Sequence, residues 1–185
     1  MKKRTLSLLL LLALVLSLPA AAAVTRNDVV AVLKQRVDAY MAEIGYTYQY
    51  DTEQERYDLE FELVSQLKSS KEHIFLYNDL LAVTALADIT VPPRNRDKVA
   101  VLLSLINYDI YYAHFNLEYQ SGTVLCYASQ YIGSVLPGQE EIDMVVQMPL
   151  NYLNDYGDAI ARVALRGADP HQVYADAKAA LEERP

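Results

Sequence analysis

The sequence predicts an α+β protein: a mostly antiparallel sheet of about five to six strands with its helices on one face, in the order α-β-β-β-β-α-β-β-α-α. Three observations lead there. Tyr57, Leu59, Phe61 and Leu63 alternate with Asp58, Glu60 and Glu62, the period-two signature of a strand with one wet face. In the stretch 91–132, VPPRNRDKVAVLLSLINYDIYYAHFNLEYQSGTVLCYASQYI, an apolar stripe at helical spacing runs straight into an alternating segment and a Ser121-Gly122 turn, so that a helix feeds a hairpin. Neighbouring strands follow one another through short turns, with helices set between such runs, and that arrangement belongs to α+β folds.

The front of the chain stands apart from this pattern. Lys2, Lys3 and Arg4 precede an apolar run over 6–18, Pro19 ends it, and the alanines at 20–23 offer an A-x-A cleavage site. Residues 1–23 read as a secretory signal peptide, cut after Ala22 or Ala23, because the Leu-rich core is too short to span a membrane comfortably. An uncleaved anchor is the other reading. No cysteine follows the run, which argues against a lipoprotein. The remaining 24–185 form one domain, long enough to bury a core.

From Thr25 the spacing T-x-x-D, with Asp28, opens a helix whose apolar positions are Val29, Leu33, Val37, Tyr40, Met41 and Ile44, and Gly45 ends it. Tyr46, Tyr48 and Tyr50 alternate as a strand, and an acidic turn at 51–55 leads into the strand of Tyr57 to Leu63. A basic turn is expected over 68–71, with a third strand at 74–77. Asn78-Asp79 turns into a fourth strand over 80–89, whose Ala82, Ala85 and Ala87 suit the close approach of a helix. Pro92 and Pro93 preset a helix start, Val99, Leu102, Leu103 and Ile106 form its stripe, and Asn107 suits its end. Phe115, Leu117 and Tyr119 then alternate with His114, Asn116 and Glu118, and Ser121-Gly122 leads to Val124, Cys126 and Ala128. A long helix begins near Glu140, with the stripe Ile142, Val145, Pro149, Leu153, Tyr156, Ile160 and Val163, and an expected kink at Pro149. Gly157 suits a close neighbour. Gly167 closes this helix, Asp169-Pro170 caps a terminal one over 171–183, and no repeat or second domain is visible.

Composition narrows the functions. The net charge is −8, and removal of the leader's three cations would take it to −11. Such a balance repels phosphate backbones and anionic membranes, so neither nucleic acid nor, once the leader is cut, membrane insertion is expected. A single cysteine forbids an internal disulfide. Fifteen tyrosines against three phenylalanines and no tryptophan suit half-wet strand positions where a ring packs and its hydroxyl meets water or a partner.

Residues that could carry chemistry do not assemble. Asp51, Glu53, Glu55 and Glu62 fall at calcium-loop spacing, but Arg56 stands where that loop needs glycine and a strand follows in place of a helix. His73, His114 and His171 lie far apart in the chain, without a metal-ligand spacing among them. A two-residue Ser121-Gly122 loop would pair Gln120 with Thr123 and set Cys126 on the apolar face of Phe115; a three-residue loop would set it beside Asn116. In neither register is a base present to activate the thiol. Glu140 and Glu141 are ordinary first-turn charges, and no nucleophile elbow, zinc helix or phosphate loop occurs. No catalytic, cofactor or metal residue is assigned.

The motifs V-P-P-R-N-R-D-K-V, L-I-N-Y, F-N-L-E-Y-Q-S-G-T-V and P-L-N-Y-L-N-D-Y-G-D carry a resemblance, densest over 46–164, to the YbjN family, described as candidate bacterial sensory-transduction regulators. Asn107, Phe115, Gly122, Tyr156 and Gly157 fall where that pattern has its helix-ending Asn, strand Phe, hairpin Gly and Tyr-Gly pair. The resemblance implies a fold similar to type III secretion chaperones, which commonly dimerise, and a protein-binding regulator or chaperone-like adaptor without an active site. Its protein partner is not identified by the sequence. A leader and an additional first helix set this chain apart, and the leader places the expected module outside the cell or in the bacterial envelope. The alternatives are a small-ligand carrier, with a pocket between the sheet and the helix kinked at Pro149, and an enzyme whose site is unrecognised.

Overall fold

A computed structural model describes residues 26–77, 79–132 and 135–183; the expected leader at 1–23, the Thr25 cap and Asn78 lie outside them. The chain runs α1 (Arg26–Ile44), β1 (Gln49–Asp51), β2 (Arg56–Glu62), β3 (Ser69–Leu76), β4 (Leu80–Thr90), a 3-10 turn at Pro93–Asn95, α2 (Arg96–Asp109), β5 (Ala113–Glu118), β6 (Thr123–Tyr131), α3 (Gln139–Arg166) and α4 (Pro170–Glu182). The strands form one sheet in the order β1-β2-β3-β4-β6-β5, and every neighbouring pair is antiparallel. Element order and class are those the sequence predicts.

Register sorts the side chains into two faces. Tyr57, Ile74, Val83, Ala128 and Ala113 stand opposite one another across five strands, as do Leu59, Glu72, Ala85, Cys126 and Phe115. Both rows are buried and face the helices. α3 lies along β4 and β6, α2 along β5, α1 reaches β3, and α4 packs on α2 and α3 away from the sheet. Burial of this apolar layer, at about 25 cal/mol per Å², is the main favourable contribution to the fold. Polar contacts fix the helices: the Tyr57 hydroxyl donates to Asp38 at 2.7 Å, that of Tyr40 donates to Asp143 at 2.8 Å, and Asn95 donates to the Ala164 carbonyl at 2.8 Å. At the N-cap of α4, Asp169 accepts from the Gln172 N–H at 2.9 Å.

Several boundaries differ from expectation for physical reasons. The strand expected from Tyr46 shrinks to Gln49–Asp51, because Tyr46 still donates its N–H to Met41 in the last turn of α1 and turns its hydroxyl to Gln147. Within α1 the stripe includes Val30, while Ile44 is exposed. β3 begins at Ser69 and absorbs the supposed basic turn; its inward side carries Ser70 and Glu72, which hide the alternation. Ala85 and Ala87 face the helices, but Ala82 is on the opposite face, opposite Phe75 and Ser129.

The β5–β6 loop spans 119–122, so Glu118 pairs with Thr123 and Phe115 with Cys126. Glu118 closes it by accepting from the Gln120 and Ser121 N–H groups. The shift from the two-residue loop is two positions, which preserves the face on which Cys126 sits. Gly122 adopts φ +83°, and a Cβ there would stand 2.4 Å from the Val91 carbonyl oxygen. α3 passes through Pro149 as one helix, and Pro149, Leu150 and Leu153 are buried.

Candidate functional site

The face of the sheet turned away from the helices is the candidate surface. Its central row runs Asp58, His73, Thr84, Tyr127 and His114 across five strands; beside it run Glu60, Lys71, Leu86, Leu125 and Asn116. These side chains are exposed or half-buried, and the described residues place no helix over them. Half-buried apolar groups on such a face are shielded by each other rather than by a covering layer.

The register brings together residues that sequence spacing kept apart. His73 Nδ1 lies 2.6 Å from Asp58 Oδ1, and the Arg56 guanidinium donates to the second oxygen of Asp58 at 3.0 Å. Burial pushes the Asp58 carboxyl upward, but the hydrogen bonds from Arg56 and His73 outweigh it and hold the group below the ordinary carboxylate value. His73, Phe75 and Tyr77 form a line of rings along β3, with Phe75 and Tyr77 stacked at 6.0 Å and 6°. On β5, His114 lies 5.0 Å from the Tyr127 ring. His171 stands on α4, exposed and outside this group.

Two shallow basins mark the face. One, of about 490 Å³, is lined by Tyr48, Gln49, Asp58, Glu60, Lys71 and His73. The other, of about 510 Å³, is bounded by Ser69, Lys71, Leu86, Asp88 and Thr123. Among the described residues, no group of three or more His, Cys, Asp and Glu side chains could hold a metal ion. Asp51, from the calcium-spaced set, accepts from the Glu53 and Gln54 N–H groups and so shapes the β1–β2 turn.

Both sheet edges are blunted. β1 is three residues long. At the other edge the Asn107 side chain donates to the Phe115 carbonyl at 2.9 Å and accepts from its N–H at 2.7 Å, standing in for the peptide of a further strand. Strand addition, which needs a free edge, is thereby opposed at the middle of β5.

Two titratable groups lie on the inner side. Cys126 is fully buried opposite Ala85 and Phe115, and burial pushes its thiol up, away from the nucleophilic thiolate. Glu72, which the sequence pattern did not single out, is fully buried with neither carboxylate oxygen hydrogen-bonded.

Among known proteins of solved structure, the chain is similar to YbjN from E. coli, described as a candidate transcription regulator: 14% of residues are identical, 80% of this chain and 93% of that chain are covered, and the TM-score is 0.50. The chain has a YbjN-like fold. At that identity the likeness is one of architecture. No family model and no curated protein matches the sequence. Among the described residues, no helix of this YbjN-like fold is long and apolar enough to cross a membrane.

Proposed function

We propose that the chain is an exported, non-catalytic protein-binding module, a regulator or chaperone-like adaptor that docks its partner on the open face of the YbjN-like sheet. The observation that carries this reading is the uncovered row His73, Thr84, Tyr127 and His114, flanked by stacked rings and two basins, in a sheet whose edges are blunted. Rings on a solvated surface lose little conformational freedom on binding and bury much apolar area, which suits protein recognition. Export rests on the leader at 1–23, and the acidic balance supports a partner that is not nucleic acid.

The test is site-specific photo-crosslinking in the native extracellular or envelope fraction. A photoreactive residue replacing Tyr127, on the face, should capture one discrete protein; one replacing Leu165, 55% exposed on α3, should not. Capture from Leu165 alone, or from neither, would refute docking on the sheet. N-terminal sequencing of the exported protein reads the leader directly.

A second reading has one observation in its favour. Asp58, Glu60, Lys71 and His73 converge on the basin of about 490 Å³, so a catalytic or small-ligand site would begin there rather than beside Pro149. Loss of phenotype in His73→Ala with partner capture intact would favour it, as would a melting temperature raised by a metabolite.

A further inference from the structure

We infer that the docked partner is a basic protein whose contact surface sets cationic margins on both sides of an apolar band. This rests on the docking reading above and adds the chemistry of the occupant.

Both strand ends of the open face are acidic. At the end formed by the β1–β2 and β3–β4 turns stand Asp51, Glu53, Glu55 and Asp79. Arg56, the cation among them, is already committed, since its guanidinium reaches Asp58 at 2.6 Å and lies 4.0 Å from Asp51. At the opposite end Glu62 pairs with Ser69, whose hydroxyl donates to Asp88 at 3.1 Å, and Glu118 pairs with Thr123. The cations here are Lys68, in the β2–β3 loop, and Arg96, whose charge acts on Glu118. Among the described residues Glu53, Glu55, Glu62, Asp79 and Asp88 form no ion pair.

The interior of the face differs from both ends. Its two carboxylates are answered within the sheet, Asp58 by Arg56 and His73, and Glu60 by Lys71 at 3.8 Å. Across β3, β4, β6 and β5 the rows supply Phe75, Thr84, Leu86, Leu125 and Tyr127, and no carboxylate stands between the margins on those strands. At about 3.3 Å per residue, Asp79 and Asp88 stand about 30 Å apart along β4. The face is therefore an uncharged band between two acidic borders.

Opposite charge at each border and apolar contact between them define the complementary occupant. Cations gathered on one side alone would leave the other border unanswered. Acidic polypeptide, nucleic acid and anionic lipid are repelled at both ends. A second copy of this chain, laid parallel or antiparallel, would bring an acidic border onto an acidic border.

The test starts from the protein captured by crosslinking at Tyr127, identified by mass spectrometry and purified. The domain that carries the crosslink should have a net positive charge. Glu53→Lys with Asp79→Lys, and separately Glu62→Lys with Asp88→Lys, should each slow its association at least about ten-fold, because charge at the borders acts on encounter. Glu182→Lys with Glu183→Lys makes the same change in net charge at the end of α4 and should leave the association rate within about two-fold. Tyr127→Ala, inside the band, should speed dissociation instead. Association with the parent protein should slow as salt rises from about 0.05 to about 0.5 M. The reversed charges sit at exposed positions, so these variants should melt as the parent does, and that is checked alongside.

A neutral or acidic partner, sensitivity at one border only, or an equal response to the α4 pair would overturn the inference. So would capture of a second copy of this chain. If Tyr127 captures a neutral or acidic protein, docking stands and the charge assignment falls; if it captures nothing, docking itself falls.

Discussion

Glu72 occupies the inner side of β3 between Leu59 and Ala85, where every neighbour in its row is apolar or a thiol. Burial raises its carboxyl well above the ordinary value of 4.5, and neither oxygen has a hydrogen-bond partner, so folding favours the neutral acid. The linkage has a definite sign. The unfolded chain ionises near the ordinary value and the folded chain does not, so stability associated with Glu72 is intact below that pH and declines as the pH rises toward the folded value. Glu72→Leu should therefore stabilise the protein at neutral pH by about 1 to 3 kcal/mol, the cost of an unsatisfied buried polar group. Glu72→Gln should flatten the slope of melting temperature against pH between acid and neutral conditions. Melts recorded across that range decide it, and a steep slope surviving in Glu72→Gln would show that another group titrates. This residue was invisible in the sequence because a carboxylate in an alternating strand reads as solvent-facing. Ser70, donating to the Leu86 carbonyl at 2.9 Å, misleads in the same way, and together they concealed the first half of β3.

At the scale of elements, two of the contacts that join helices to the sheet and its loops carry predictions. The β2–β3 loop lies on α3 at Gly157, where an added Cβ would meet Ser65 Oγ at 2.2 Å and Ser65 Cβ at 2.6 Å. Gly157→Ala should cost about 1 to 3 kcal/mol by overpacking, and Ser65→Gly in the same chain should recover part of that loss. A double-mutant cycle by urea unfolding measures the coupling; strict additivity would mean that the loop moves aside freely. Asn107 ties the end of α2 to Phe115, and Asn107→Ala leaves both Phe115 backbone groups without this partner. We expect a loss of about 1 to 3 kcal/mol together with concentration-dependent self-association in size-exclusion chromatography. Destabilisation without self-association would confine Asn107 to holding the helix. Periodicity disclosed β2, α2, the hairpin and α3, because each buries one clean face. The length of the hairpin loop was not legible, since it depends on the Glu118 carboxylate bonding the N–H groups of Gln120 and Ser121.

For the whole molecule, the buried residues of α1 through α4 belong to one continuous apolar cluster, from Val30 to Val173. Such a core should unfold in a single transition, with calorimetric and van't Hoff enthalpies equal; two resolved transitions would mean that α1 or α4 docks independently. The candidate surface was half legible. Alternation put Asp58, Glu60 and Glu62 on a wet side, but the joining of His73 to Asp58, and of His114 to Tyr127, required a register across strands distant in the chain. Long-range pairing leaves no trace in local spacing, so the histidines looked isolated. A layer with a three-residue border on one side and a side-chain plug on the other resists the end-on stacking from which cross-β fibres grow, so the protein should stay dispersed even where it accumulates to high abundance.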